Sequence, residues 1–528
     1  MKDNILQHIK RAAMRNGVPV FVFAAASAVV LRLVALKRYY LLDGDSAVFA
    51  LMAGHIQGLR EFPAYMWLNH YAGALVSYIG AFFFAVRGFS SSSYMLSGAV
   101  LSLCWVLASL SIARRILPFS GYITAAFFLI VPPSVLLFYS LYPGGVQAET
   151  LLFGTLILGR VLAFSGPQVP ELKRSFFWLG FCSGCGLWLS PGVFPAVLTA
   201  LTVLMLRDRM IFLSHKIGVF AAGLAAGFLP GIAHNIFYPG ATFFRLGGRF
   251  LNVSRGSLEN GNLFIASGHG LWRMILMIPG SLAQIPSLTA ELLGPVNAWI
   301  FFIAGAVVLT AGWRSFIRDR VMNPWMVFLI YAAWAVLFYS AAIRIGSPRY
   351  MLGLVVIFPF IAGKMLSIVR QRNKVFFWVI LSVILTGNCL SIRQAWSVDR
   401  APRYAELSSW LAQRKYAFGF SDYLTAFPVV FYSQERVMLS PTIFHPSFYD
   451  RYPEYTERVR RARDPVYIID TQYYPSAARQ IELGFAGLGV GYRKDGFDRF
   501  AVYYGLSRFV DPRELGLSEK NMVYPGGA

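Results

Sequence analysis

Stretches of about twenty apolar residues recur from Val18 to about Ser391 and then stop. A helix of this length can cross a hydrocarbon core of ~30 Å. Charged residues make up only 14% of the 528-residue chain, whereas a soluble domain usually has about 25%. The sequence therefore predicts a polytopic α-helical membrane protein with a membrane part at residues 1–392 and a separate domain at residues 393–528.

The positive charge of the chain is concentrated in the membrane part. Residues 1–392 hold 30 Lys and Arg against 10 Asp and Glu, whereas residues 393–528 hold 18 against 15. The basic excess lies in short loops between apolar runs, where the positive-inside rule places it on the cytoplasmic side. This distribution predicts anionic lipid headgroups and phosphates as partners and argues against nucleic acid.

The basic clusters also predict the topology, because successive cytoplasmic clusters must be separated by an even number of crossings. Eleven spans satisfy this rule, near residues 18–36, 94–113, 120–140, 150–166, 176–190, 193–206, 217–236, 295–312, 324–343, 350–369 and 375–392. Ala72–Val86 and Leu271–Ile285 are too short to span and are predicted to be interfacial or re-entrant helices. An odd number of spans places the tail outside the cytoplasm.

The tail has the sequence pattern of a small α/β domain. Tyr404–Arg414 has helical periodicity, and Tyr416–Phe420, Val437–Ser440 and Pro465–Asp470 resemble short strands. We expect this domain to cover the outer face of the membrane part and to help select an acceptor.

No metal site is predicted from the sequence. His55, His70 and His269 are isolated, and Cys182 and Cys185 lie in an apolar run, where we expect small residues to pack between helices. No cofactor is predicted with certainty, and a divalent cation remains open.

The acids on the outer side need a reason to be there, because an ionisable group near membrane depth is costly. The topology places Asp43, Asp45 and Glu149 on this side, together with Glu61, Glu259 and Glu291. Asp45 and Ser46 can cap the helix that follows, or Asp45 can accept a proton from a hydroxyl group. Glu149 can be an ordinary helix N-terminal acid or a second functional acid.

Arginines accumulate on the same side of the predicted membrane. They are Arg245, Arg249, Arg255, Arg273, Arg344 and Arg349. A guanidinium group binds phosphate through two parallel hydrogen bonds, which suits the phosphate of a lipid carrier. Headgroup anchoring is the alternative role for each of them.

The segment Asp45–Ala53 resembles the Asp-Glu-Ala-x-Tyr-Ala-x-x-Ala signature of the GT-C membrane glycosyltransferases. The likeness is greatest to the group of the lipid A aminoarabinose transferase and the protein O-mannosyltransferases (glycosyltransferase family 39). It extends to Phe62–Trp67, to Glu149 and to Ser347–Leu352, which resembles a late Pro-Arg-Tyr-Leu-Leu stretch. In the tail, Gly419–Pro428 and Arg451–Tyr455 resemble segments of uncharacterised bacterial members.

The resemblance implies inverting transfer of a hexose or pentose from a polyprenyl-phosphate donor, without a nucleotide, to a lipid, glycan or protein acceptor. It implies a bacterial cytoplasmic membrane with the tail in the periplasm. Asp45 becomes the catalytic base, although Ser46 stands where the family has Glu, and Glu149 becomes its partner. Donor binding is expected from Arg349, Tyr350 and Arg344. The aminoarabinose branch has a lysine near Asn69 and His70, so His70 is a further candidate here, and Lys37, Arg38, Arg245 or Arg249 can substitute for that lysine.

Two alternatives belong to other classes of protein. A transporter or flippase of a lipid-linked or anionic substrate predicts paired ionisable groups near the bilayer midplane and repeated halves, which the sequence does not display. A non-catalytic scaffold predicts activity that does not depend on Asp45.

Overall fold

The structure is a computed structural model that describes residues 2–38, 42–165, 173–243, 305–318, 322–342, 352–397, 403–444 and 450–517. Within these ranges, helices dominate up to Ser397 and a sheet follows. Four helices are long and apolar enough to cross a membrane, and the number rises to six if each of two bent pairs is one span. The four are Val18–Leu36, Ser91–Ile116, Leu352–Arg372 and Lys374–Trp396.

Each bent pair breaks next to proline. Phe119–Ile130 and Ser134–Leu141 meet at 68° across Pro132 and Pro133, and His215–Gly227 and Leu229–Phe237 meet at 65° next to Pro230. Proline removes a backbone donor and clashes with the preceding turn, so a helix kinks or ends there. The two predicted spans 120–140 and 217–236 are therefore broken helices.

The remaining predicted spans coincide with shorter helices. These are Gln147–Ala163, Lys173–Leu189, Phe194–Arg207 and Pro324–Ala342, and a further helix covers residues 305–318. The first part of the predicted span 295–312 and the stretch Leu271–Ile285 lie outside the described residues. The total of eleven spans stays a prediction.

Contacts divide the chain into two compact units. The first comprises Met1–Tyr39, His70–Gly73 and Met95–Val398, and the second comprises Tyr40–Asn69, Ala74–Tyr94 and Asp399–Ala528. The tail therefore shares its unit with most of the loop that follows the first span.

Two helices of the first unit pack at backbone distance. A Cβ atom added to Gly180 would lie 2.0 Å from the Phe220 carbonyl oxygen, and one added to Gly223 would lie 2.1 Å from the Phe177 carbonyl oxygen. Gly184 and Gly227 repeat the pattern one turn further along Lys173–Leu189 and His215–Gly227. Each helix thus carries a Gly-x-x-x-Gly pair facing the other, the arrangement that allows membrane helices to approach closely.

The tail within the second unit contains a five-stranded sheet with the order β2-β1-β3-β5-β4. The strands are β1 (Phe418–Phe420), β2 (Met438–Ser440), β3 (Val466–Asp470), β4 (Arg493–Phe497) and β5 (Phe500–Tyr504). β1 pairs in parallel with β2 and β3, whereas β5 pairs antiparallel with β3 and β4. The core includes Phe420, Tyr467, Ile481 and Phe485.

The loop part of the same unit supplies two helices, Gly44–Gln57 and Leu75–Arg87, which pack on each other. The first is buried along almost its whole length and also packs on the tail helix Tyr423–Tyr432. Leu75–Arg87 has 13 residues, about 20 Å at 1.5 Å per residue, so it is too short to span a bilayer.

Candidate functional site

Asp45 lies in the first turn of the helix Gly44–Gln57, but it does not cap that helix. The cap is Asp43, whose Oδ1 accepts a hydrogen bond from the Ser46 backbone N–H at 3.0 Å. The Ser46 hydroxyl in turn accepts a bond from the Asp43 N–H at 2.8 Å, which completes a capping box. The interpretation of Asp45 as a capping residue was therefore wrong, whereas that of Ser46 is confirmed.

The Asp45 carboxylate instead binds a tyrosine of the tail. The Tyr423 hydroxyl donates a hydrogen bond to Asp45 Oδ1 at 2.6 Å. The Tyr423 ring lies directly against Gly44, where an added Cβ atom would come within 2.6 Å of the ring carbon Cε1. Both side chains are half-buried. The residue between the two acids must therefore be small for the tyrosine to reach Asp45.

The tail holds Tyr423 from its own side. Asp422, at the end of β1, caps the helix Tyr423–Tyr432 by accepting bonds from the N–H groups of Leu424 and Thr425. The Arg451 guanidinium lies 5.9 Å from the centre of the Tyr423 ring. Burial, followed by the charge of Asp45, raises the pKa of Tyr423 well above its usual range, so the hydroxyl keeps its proton.

A second polar contact joins the far ends of the same two helices. His55 Nδ1 lies 2.9 Å from Glu61 Oε1, and His55 Nε2 lies 3.0 Å from Glu435 Oε1. Glu435 also accepts hydrogen bonds from Tyr455 and Arg60, each at 2.6 Å. Burial opposes the charge on His55, but the two carboxylates outweigh it and raise its pKa to about 9. Burial likewise opposes ionisation of Glu435, but its donors lower its pKa to about 2.

Aromatic rings enclose this ion pair. The His55 ring centre lies 5.1 Å from that of Trp67 and 5.4 Å from that of Tyr452. The Trp67 indole N–H donates to Glu61 Oε1 at 2.8 Å. The two contacts, Asp45 with Tyr423 and His55 with Glu435, show that the helices Gly44–Gln57 and Tyr423–Tyr432 run parallel. We call them the paired helices.

Glu149 belongs to the first unit, whereas Asp45 belongs to the second. Glu149 is 1% exposed, and neither carboxylate oxygen has a hydrogen-bond partner in the part of the chain that the structure describes. It lies in the first turn of Gln147–Ala163, just after Val146, whose φ of 65° is strained for a β-branched residue. Buried unpaired acids and strained backbone are both frequent at functional sites.

His70 is not isolated, as the sequence had suggested. Its Nδ1 lies 2.9 Å from Nε2 of His234, and Tyr238 packs beside both rings. His55 is not isolated either, because it contacts Glu61 and Glu435. His269 lies outside the described residues. Lys37 and Arg38 are exposed directly after the first helix.

The predicted donor-binding residues Arg344, Arg349, Tyr350, Arg245 and Arg249 lie outside the described residues. Within the described ranges, no group of three or more His, Cys, Asp and Glu side chains is arranged to hold a metal ion.

Sequence reasoning missed Tyr423 and Glu435, because both contacts join residues more than 370 positions apart. A signal existed in the two tail segments that share the family resemblance. Gly419–Pro428 contains Tyr423, and Arg451–Tyr455 contains Arg451 together with two of the tyrosines around His55.

No protein-family model matches the chain, and no curated protein does. Solved structures do. ArnT from Cupriavidus metallidurans bound to undecaprenyl phosphate has a TM-score of 0.59 at 14% identity, over 92% of this chain and 98% of ArnT. The structure of ArnT in the apo state has a TM-score of 0.55 at 13% identity, and the match covers 91% of this chain and 98% of ArnT. A third match is the archaeal oligosaccharyltransferase AglB from Archaeoglobus fulgidus, in complex with an inhibitory peptide and a dolichol-phosphate. Its TM-score is 0.55 at 13% identity, and the match covers 93% of this chain and 74% of AglB.

ArnT and AglB are both members of the GT-C superfamily, and the similarity to each covers more than nine tenths of this chain. The resemblance inferred from Asp45–Ala53 thus agrees with a similarity in fold over 92% of this chain. The protein therefore has the GT-C fold.

Proposed function

We propose that the protein transfers a sugar from a polyprenyl-phosphate donor to an acceptor at the outer face of the bacterial cytoplasmic membrane. The observation that carries the proposal is Asp45, a half-buried acid in the motif that resembles the GT-C signature, fixed by a hydrogen bond rather than used as a cap. ArnT and AglB were solved with undecaprenyl phosphate and dolichol-phosphate, which supports a polyprenyl-phosphate donor here.

In this reaction Asp45 is the general base. As the acceptor oxygen or nitrogen attacks the anomeric carbon, its proton passes to the Asp45 carboxylate. The bond from the anomeric carbon to the phosphate oxygen breaks, and both electrons leave with the lipid phosphate. Attack opposite the leaving group inverts the anomeric centre.

Glu149 and the arginines have separate roles in the proposal. Glu149 is a second functional acid, which its burial without a hydrogen-bond partner in the described chain supports. Arg349 and Arg344 neutralise the charge that develops on the leaving phosphate, and Tyr350 takes part in binding the donor. The donor is a hexose or pentose carrier, the acceptor is a lipid, glycan or protein, and the tail faces the periplasm.

Asp45→Asn tests the proposal. Asparagine keeps the size of the side chain and can still accept the bond from Tyr423, but it cannot take a proton. We expect turnover to fall by about 10²–10⁴-fold, the usual value of a general base. The assay measures undecaprenyl phosphate released from a panel of hexose and pentose undecaprenyl-phosphate donors, with purified protein and a cell-envelope glycolipid extract as acceptor.

Asp43→Asn is the matched control, because asparagine is as good an N-cap as aspartate. It lies two residues from Asp45 and should keep turnover within about twofold, given how little such a cap change costs. Wild-type turnover in Asp45→Asn, or equal losses in both variants, would contradict the assignment of the base.

A further inference from the structure

The carboxylate that we assign as the base is held by a residue 378 positions away. The separation of 2.6 Å between the Tyr423 hydroxyl oxygen and Asp45 Oδ1 is typical of a hydroxyl that donates to an ionised carboxylate. Such bonds are about twice as strong as bonds between neutral groups. This contact is therefore strong enough to favour one orientation of the Asp45 carboxylate.

Tyr423 is itself fixed on several sides. Its ring lies against Gly44, and Phe427 meets it edge-on at 5.4 Å between ring centres. The Asp422 cap sets the first turn of its helix, and Arg451 lies 5.9 Å from its ring. A donor held this firmly imposes one orientation on the acceptor of its bond.

Orientation matters for a general base. A base must lie within hydrogen-bond reach of the proton that it removes while the reacting atoms are aligned. A hydrogen bond to Oδ1 favours one plane of the Asp45 carboxylate, and this plane sets the direction from which the base meets the acceptor. The hydrogen bond also persists at working pH, because the Tyr423 hydroxyl keeps its proton.

We infer that Tyr423 is a positioning residue for the reaction: its hydroxyl orients the Asp45 carboxylate for proton transfer, so the tail completes the catalytic centre. This inference rests on the proposed function of Asp45. It gives the tail a part in catalysis that differs from covering the site or selecting the acceptor.

Tyr423→Phe removes only the hydroxyl and keeps the ring against Gly44. We expect kcat to fall about tenfold, the effect of losing one hydrogen bond to a charged group. The KM for the donor, the Kd for undecaprenyl phosphate and the thermal unfolding midpoint in detergent should stay at their wild-type values, because phenylalanine keeps the aromatic ring and its packing against Gly44. Tyr432→Phe removes a hydroxyl from the other end of the same helix and should keep wild-type kcat.

A double-mutant cycle separates this inference from the proposed function. Tyr423→Phe should cost about tenfold in the wild type and nothing in the Asp45→Asn background, because the bond then orients no base. A wild-type kcat in Tyr423→Phe, or the same loss in both backgrounds, would overturn the inference while Asp45 remains the base. Wild-type turnover in Asp45→Asn would overturn the proposed function itself.

Gly44→Ala provides a second test that leaves the hydroxyl in place. The added Cβ atom would meet the Tyr423 ring at 2.6 Å and the Tyr423 carbonyl oxygen at 3.0 Å, so Tyr423 and the helix end at Gly44 must shift relative to each other. We expect kcat to fall with an unchanged Kd for undecaprenyl phosphate. Full activity in this variant would show that the position of Tyr423 has no effect on the reaction.

Discussion

Asp43 and Asp45 stand two residues apart and contact different groups. Asp43 faces the backbone of its own helix, whereas Asp45 faces the tail. The difference follows from helix geometry, because an N-cap side chain folds back onto the first turn while a residue within that turn projects outward. Asp45 lies at the N-terminal ends of both paired helices, where the helix dipoles stabilise a negative charge.

Arg349 offers a test of phosphate binding in the donor. Arg349→Lys keeps the charge but loses the planar fork, whereas Arg349→Ala loses both. We expect Arg349→Ala to weaken binding of undecaprenyl phosphate by ~2–5 kcal/mol and Arg349→Lys by less. Titration of the purified variants with undecaprenyl phosphate measures both. Normal affinity in both variants would transfer the role to an arginine of residues 245–273.

His55 predicts how stability depends on pH. Its pKa of about 9 in the folded protein exceeds the usual 6.5, so its contribution is complete below pH 6.5 and disappears as the pH rises through 9. The lowered pKa of Glu435, about 2 instead of 4.5, reflects largely the same ion pair, so this stability also disappears as the pH falls from 4.5 through 2. The His55 contribution amounts to about 3 kcal/mol at ~1.4 kcal/mol per pKa unit.

Thermal unfolding in detergent between pH 6 and pH 10 measures this effect. The unfolding midpoint of the wild type should fall across this range, and His55→Gln should remove most of the fall. His215→Gln, at an exposed histidine, is the control and should keep the wild-type profile. An identical pH profile in His55→Gln would exclude the ion pair as its cause.

The residues of the site differed in how far the sequence could predict them. Asp45 could be singled out because an acid near a span end is costly and because Asp45–Ala53 resembles the GT-C signature, and its role as the base stays a prediction. Tyr423 and Glu435 could not be singled out, because an isolated tyrosine or glutamate in a polar tail has nothing unusual in its surroundings. Only the fold brings them to Asp45 and His55.

At the scale of elements, the paired helices are connected by side-chain hydrogen bonds at both ends. Tyr423 and Asp45 bind at the N-terminal ends, and His55 and Glu435 bind at the C-terminal ends. Between these contacts, Gly44–Gln57 is buried on nearly all sides. Phe431 of the second paired helix stacks on Phe89, which follows the helix Leu75–Arg87, at 4.7 Å between ring centres. Parallel helix dipoles repel slightly, so apolar burial and the two terminal contacts must supply the attraction.

The glycine interface between Lys173–Leu189 and His215–Gly227 gives a prediction about assembly. In Gly184→Val, even the Cβ atom of the new side chain would lie 2.1 Å from the Leu224 carbonyl oxygen. The helices must then separate, at a cost of about 2 kcal/mol or more. We expect a lower yield of folded protein and a lower unfolding midpoint in detergent.

Gly218→Ala is the control on the partner helix, because an added Cβ atom there has no heavy atom within 4 Å in the described structure. It should leave yield and midpoint unchanged. If Gly184→Val were equally harmless, the close approach of these two helices would not hold in the membrane. Cys182 is buried on the same helix, in agreement with the expectation that it packs between helices.

The sequence predicted three strands of the tail, whereas it missed the exposed strand β4 and also β5, which is buried. The strands expected at Tyr416–Phe420, Val437–Ser440 and Pro465–Asp470 are present as β1, β2 and β3, each slightly shorter, and the expected helix covers Tyr404–Gln413. β4 was missed because its residues are largely exposed and include Arg493, Lys494 and Asp495. Its strand conformation comes from pairing with β5, which a local pattern does not record.

For the whole molecule, the basic clusters predict the membrane topology. Reporter fusions after Arg115, Arg174 and Lys374 should report the cytoplasm, and fusions after Glu149 and Pro402 should report the outside. A cytoplasmic reporter after Pro402 would reverse the predicted side of the tail and place Tyr423 on the wrong side for a periplasmic reaction.

The identity to ArnT and AglB is only 13–14%, yet the fold is shared over more than nine tenths of this chain. Membrane helices tolerate exchange among apolar residues, so span order can persist where sequence identity does not. The division of the chain was harder to predict. A boundary at residue 392 follows from hydropathy, but the joining of residues 40–69 and 74–94 to the tail depends on contacts between distant segments.

The distance along the chain between Asp45 and Tyr423 also sets an order of events during synthesis. A ribosome adds about 5–20 residues per second, so the 378 intervening positions take roughly 20–75 s. During that interval the helix Gly44–Gln57 exists without Tyr423–Tyr432, and its apolar surface has no tail to cover it. A nascent chain thus acquires its oriented carboxylate only after Tyr423 has been made, at about four fifths of the 528-residue chain.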